Sequence, residues 1–101
     1  MAQYTVRVEL HGKKHDDEVY TELHDAMEAH GFLKYVRGDK TGKEFWLPTA
    51  EYIGSSDKED AGALAGEIQG WANAETSHKG PVGVLATIWG SAGWAGLKAK
   101  T

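Results

Sequence analysis

The chain has 101 residues, 15 acidic and 11 basic side chains, a formal charge of -4 and 41% hydrophobic residues. That length makes a single domain with a core of its own, and the mild acidity argues against a large sequence-independent grip on nucleic acid, which needs several Lys or Arg neutralising phosphates at once; no DNA partner is expected. Cysteine is absent, which excludes disulfides and thiolate zinc sites, and no apolar run approaches the ~20 residues of a membrane helix.

The start Met1-Ala2-Gln3 lacks the basic and apolar regions of a secretion signal, so cytoplasmic residence is expected, with no membrane partner. One ferredoxin-like domain is expected over about residues 3–89, followed by a tail over 90–101.

The first predicted strand runs from about Gln3 to His11, where Tyr4, Val6, Val8 and Leu10 alternate with Thr5, Arg7, Glu9 and His11. A period of two gives one buried and one open face. A helix is expected to begin at Asp16 or Asp17, with Val19, Tyr20, Leu23, Ala26 and Met27 as its apolar stripe. His30-Gly31 closes it, Gly31 taking the left-handed position and Phe32 folding back on the last turn.

Two strands follow, Phe32 to Arg37 and Glu44 to Ile53, joined by the polar, glycine-bracketed loop Gly38 to Lys43. Pro48 cannot donate to a ladder, so a bulge or break is expected within a residue or two of it. Ser56-Asp57-Lys58-Glu59 matches a capping box, and the helix after it carries Leu64, Ile68 and Trp71 on one face. Gly62, Gly66 and Gly70 recur every four residues on this helix, each costing about 1 kcal/mol relative to alanine. Close approach to a neighbouring element is the expected offset.

The last predicted strand, Val82 to Trp89, has apolar residues on both faces, and the tail holds Trp94 and Leu97 among small residues. The order βαββαβ predicts an α+β, ferredoxin-like fold: a four-stranded antiparallel sheet, order 4-1-3-2, with both helices on one face.

The open face of the first strand brings Arg7, Glu9 and His11 together, an acid, a base and a cation suited to a phosphodiester. The plain alternative is a polar outer face paired to neighbouring strands. Lys34, Arg37 and Lys43 lie on the predicted hairpin, where they would touch RNA phosphates. His11 and His15 straddle a turn and lack the geometry of paired metal ligands, so no metal site and no cofactor are assigned; a divalent ion shared by Glu9 and His11 is the one arrangement the strand would allow. Leu85, Trp89 and Trp94 are the expected interface of a homodimer, built on the open face or the edge of the last strand.

Three segments, Tyr4 to Leu10, Leu23 to Phe32 and Leu47 to Tyr52, resemble the GhoS-type endoribonuclease antitoxins of type V toxin-antitoxin systems. The resemblance implies a ferredoxin-like fold related to the small CRISPR-associated adaptation nucleases, and cleavage of the messenger RNA of a small membrane toxin. In those relatives an acidic residue near the end of the first strand is the metal-binding candidate; Glu9 is its counterpart here. The contrasting expectation is a non-catalytic bacterial or phage interaction protein that dimerises or blocks a protein partner through its sheet.

Overall fold

The computed structural model describes residues 2–14, 17–38, 42–48, 50–90 and 97–100. Its elements follow in the order β1 (Ala2–Leu10), α1 (Glu18–Ala29), β2 (Tyr35–Arg37), β3 (Glu44–Trp46), β4 (Glu51–Ser56), α2 (Ala61–Glu75) and β5 (Val82–Ile88). The fold is α+β: an antiparallel sheet in the order β4-β1-β5, a second, two-stranded ladder of β2 and β3, and two helices. The alternation in β1 decides the layering. Tyr4, Val6, Val8 and Leu10 are at most 1% exposed and pack with Leu23, Met27, Leu64 and Ile68 of the helices, while Arg7, Glu9 and His11 are exposed on the other face.

Local chemistry sets the ends of α1. The Asp17 carboxylate accepts from the Val19 N-H at 3.0 Å, the N-cap expected there. At the other end the Phe32 N-H donates to the Met27 carbonyl and the Gly31 N-H to the Glu28 carbonyl, both at 2.9 Å, with Gly31 at φ +85°. This is a full Schellman cap, and it tucks the Phe32 ring, 2% exposed, beneath the helix end.

Pro48 breaks the third predicted strand, as its missing N-H requires. The Glu51 N-H closes a tight turn onto the Pro48 carbonyl, and Ala50 adopts φ 62°, so β3 ends at Trp46 and β4 starts at Glu51. The second predicted strand is shorter than expected. Its first part contributes a single bridge, Leu33 to Ile53 of β4, before β2 turns to pair with β3. Residues 98–100 then line the far side of β3: the Trp46 N-H donates to the Lys98 carbonyl and the Lys100 N-H to the Glu44 carbonyl. That end of the tail therefore folds back on its own chain.

Two sequence expectations about α2 need correction. Ser56 does not cap it, because Ser56 is the buried last residue of β4 and its hydroxyl accepts from the Lys58 N-H; Asp60 is the N-cap, accepting from the Gly62 N-H at 2.9 Å. Nor does the glycine stripe meet another element among the described residues. A Cβ at Gly66 or Gly70 would have nothing within 4 Å, and one at Gly62 would touch only the Asp60 side chain. Gly70→Ala is therefore expected to raise stability by about 0.5–1 kcal/mol, read as an upward shift of the thermal midpoint, since it removes backbone entropy from the unfolded chain without a clash.

Candidate functional site

Antiparallel register converts the open face into a site. Glu9 lies opposite Gly83 of β5, and Arg7 lies between Leu85 of β5 and Glu51 of β4. A groove of about 370 Å³ results, lined by Arg7, Glu9, His11, Gly83, Val84 and Leu85. Strand periodicity puts Arg7, Glu9 and His11 on one side of β1; only the pairing with β5 gives them a wall.

Within the groove the His11 Nδ1 is 3.4 Å from the Glu9 Oε1, with both side chains at least half exposed. This separation is longer than a good hydrogen bond and fits a loose pair in solvent. The other ring nitrogen, Nε2, lies across Gly83: a Cβ there would sit 3.2 Å from it. Gly83 thus leaves room for the imidazole to lie over β5, a role that spacing along the chain does not reveal. Among the described residues Arg7 makes no ion pair.

The donors at the groove are one carboxylate and one imidazole, and among the described residues no group of three or more His, Cys, Asp or Glu is arranged to hold a metal ion. Glu9 and His11 are the two such donors that line the groove among the described residues.

None of the predicted phosphate contacts lines this groove. Lys34 and Arg37 flank the β2–β3 hairpin and Lys43 is exposed at the end of its loop. The Arg37 guanidinium donates to Glu44 at 2.8 Å, and Lys100 of the tail reaches the same carboxylate at 3.3 Å. That hydrogen bond raises the pKa of Arg37 and, with Lys100, holds the Glu44 carboxyl below its ordinary value. The Lys34 and Lys100 ammonium groups lie 5.7 and 5.5 Å from the Trp46 ring centre, and Tyr35 meets Trp46 edge-on. Lys100 is the member of this basic, aromatic cluster that sequence reasoning missed; its signal was the alternation Lys98-Ala99-Lys100 at the end of the tail.

The predicted interface residues divide. Leu85 is 66% exposed, whereas Trp89 is half-buried with its indole N-H donating to the Thr5 hydroxyl at 2.6 Å. Trp94, like His15, Asp16 and Lys40, lies outside the described residues.

Two other histidines have structural partners. His30 stacks on Trp71 with ring centres 3.8 Å apart and contacts Glu75 at 2.7 Å, tying the end of α1 to α2. His24 sits 2.6 Å from the Tyr52 hydroxyl. Burial, chiefly, and the neighbouring Lys34 charge lower its pKa to about 4 against the opposing pull of Asp25, while burial and Tyr20 raise that of Tyr52. Tyr52 therefore keeps its proton and donates to the His24 Nδ1.

The unfolded chain binds a proton at His24 near pH 6.5, whereas the folded chain does so only near pH 4. The stabilisation is complete above pH 6.5 and is lost as the pH falls towards 4. Solvent on the half-exposed ring limits the loss to about 1–2 kcal/mol. Denaturation of the native chain and of His24→Gln at pH 7 and pH 4 is expected to show that difference, with the variant less pH-sensitive.

Compared with protein-family models, with curated proteins and with solved structures, the chain gives no match.

Proposed function

We propose that the open sheet face binds a single RNA strand and cleaves it, as an antitoxin-like endoribonuclease directed at a toxin messenger. The observation that carries this reading is the convergence of Arg7, Glu9 and His11 on one groove, with the His11 ring laid against Gly83. In the same reading the fold is ferredoxin-like with the strand order 4-1-3-2; the isolated Leu33 to Ile53 bridge beside β4 supports this.

Cleavage by the ribose 2′-hydroxyl requires that its proton be removed as its oxygen attacks phosphorus, and that the departing 5′-oxygen gain one. With Nδ1-H turned towards Glu9, the His11 Nε2 carries the lone pair that takes the first proton. The same proton then serves the 5′-oxygen, so the reaction balances without another reactant. Glu9 is a positioning residue, whose contact with the ring shortens when substrate excludes water. Arg7 faces the non-bridging oxygens, where negative charge concentrates. Lys34, Arg37 and Lys43 on the hairpin extend the path of the strand.

Incubation of the protein with mixed RNA, with and without divalent metal, beside Glu9→Ala and His11→Ala, tests this. His11→Ala is expected to lose about 10²–10⁴-fold in rate, the usual contribution of a general acid-base group. Equal cleavage by all three proteins would remove the cluster from consideration, and no cleavage by the native chain would leave a non-catalytic interaction protein.

A further inference from the structure

The outer edge of β5 is open among the described residues, and the hydrogen bonds at its two ends show which groups face outwards. The Trp89 N-H donates to the Gln3 carbonyl and the His11 N-H to the Pro81 carbonyl. Antiparallel pairs exchange both bonds at every second residue, so Gly83, Leu85 and Thr87 point their N-H and C=O groups at β1. Those of Val82, Val84, Ala86 and Ile88 point away. The Gln69 side chain confirms this by donating to the Val82 carbonyl at 2.9 Å. The Val82 N-H and both groups of Val84, Ala86 and Ile88 remain, and the last three residues are symmetric about Ala86.

Exposed edges are normally protected by charge, proline or a bulge. β5 has none of these, and Ile88 at its end is 48% exposed. The flank of α2 beside this edge is equally bare. Gly62, Gly66, Gln69 and Asn73 fall on one side of the helix by their spacing, and Gln69 places that side next to β5. Trp71 and Glu75 face the other way, towards His30 of α1. In a chain with 26% charged residues, α2 and β5 together carry only Glu67 and Glu75, and these pair with Lys58 and His30 away from the flank.

We infer that the chain forms a symmetric dimer in which β5 pairs antiparallel with β5 of a second copy about a two-fold axis at Ala86, the glycine flank of α2 packing against its equivalent above the seam. In this register Val84 lies opposite Ile88 of the second copy and Ala86 opposite Ala86, so the outward groups of Val84, Ala86 and Ile88 all find partners. A second copy is the occupant because the vacant groups are self-complementary and the surface has no charge with which to select a different chain. A strand edge alone falls short of the about 800 Å² per partner that a stable association buries, and the helix flank supplies a second layer. Gly62 and Gly66 then have the close neighbour that they lack among the described residues. Because Gly83, Val84 and Leu85 line the groove, the second copy also borders it.

Light scattering tests this on the native chain, Ala86→Pro and Gly66→Gln. The Ala86 N-H points away from β1, so proline there removes an intermolecular donor while leaving the chain's own ladder intact. The Gly66 position is open among the described residues, so glutamine is expected to preserve the fold and to intrude on a second copy. The expected result is a native mass of twice 11.0 kDa, a return to 11.0 kDa for Ala86→Pro with an unchanged circular dichroism spectrum, and dimer affinity weakened about tenfold or more in Gly66→Gln. A native mass of 11.0 kDa at the highest concentration reached would overturn the dimer. Undiminished association of Gly66→Gln would overturn this interface, and it decides the matter even where Ala86→Pro fails to fold.

Discussion

Leu23→Ala and Ile68→Ala are each expected to lower the free energy of unfolding by about 2–5 kcal/mol, the range for truncating a large side chain in a packed core. Both residues are 0% exposed, Leu23 on α1 and Ile68 on α2, and each seats its helix on the row Tyr4, Val6, Val8 and Leu10. The surrounding side chains are themselves fully buried and cannot collapse into the vacated space without losing contacts elsewhere. Against the about 5–15 kcal/mol that holds a domain together, either substitution removes a large fraction. Denaturant midpoints left unchanged by both would mean that the helices are held by other faces.

Gly54→Ala is expected to destabilise by about 1–3 kcal/mol or more, although it adds one methyl group to a strand. A Cβ at this position would lie 2.7 Å from the Gly31 carbonyl oxygen and 2.7 Å from the Phe32 ring. Neither can yield cheaply: the carbonyl belongs to the Schellman cap of α1, and the ring is pinned beneath it. The sign is opposite to that expected for Gly70→Ala, where the added carbon meets open space. Urea denaturation of the two variants in parallel therefore distinguishes a glycine required by a close approach from one that only loosens a helix.

Much of the fold was legible because it is written in local periodicity and capping chemistry. The two-residue alternation of β1 identified both its buried and its open face, and Asp17, Gly31 and Pro48 marked real boundaries. Features that depend on distant pairing were not legible. Ser56 and Asp60 are both competent N-cap residues, and Asp60 has the role because Ser56 is committed to β4 against Ala2. Equally, nothing near Phe45 announces that Ala99 will pair with it, so the three-stranded arrangement of β2, β3 and the tail escaped the sequence.

The candidate site shows the same division. Arg7, Glu9 and His11 could be grouped from the strand period alone. Their partner Gly83 required the β1–β5 register, which spans most of the chain. Lys34, Arg37 and Lys43 were correctly placed on one hairpin, but the neutralisation of Arg37 by Glu44 depends on the pairing of β2 with β3.

Titration of isotopically labelled protein with a short single-stranded RNA, followed by amide chemical shifts, tests the proposed function most directly. The largest changes are predicted at Arg7, Glu9, His11, Gly83 and Leu85, with smaller ones along the β2–β3 hairpin. Changes confined to the helices, or none at saturating RNA, would contradict the assignment of the open sheet face as the site where RNA binds.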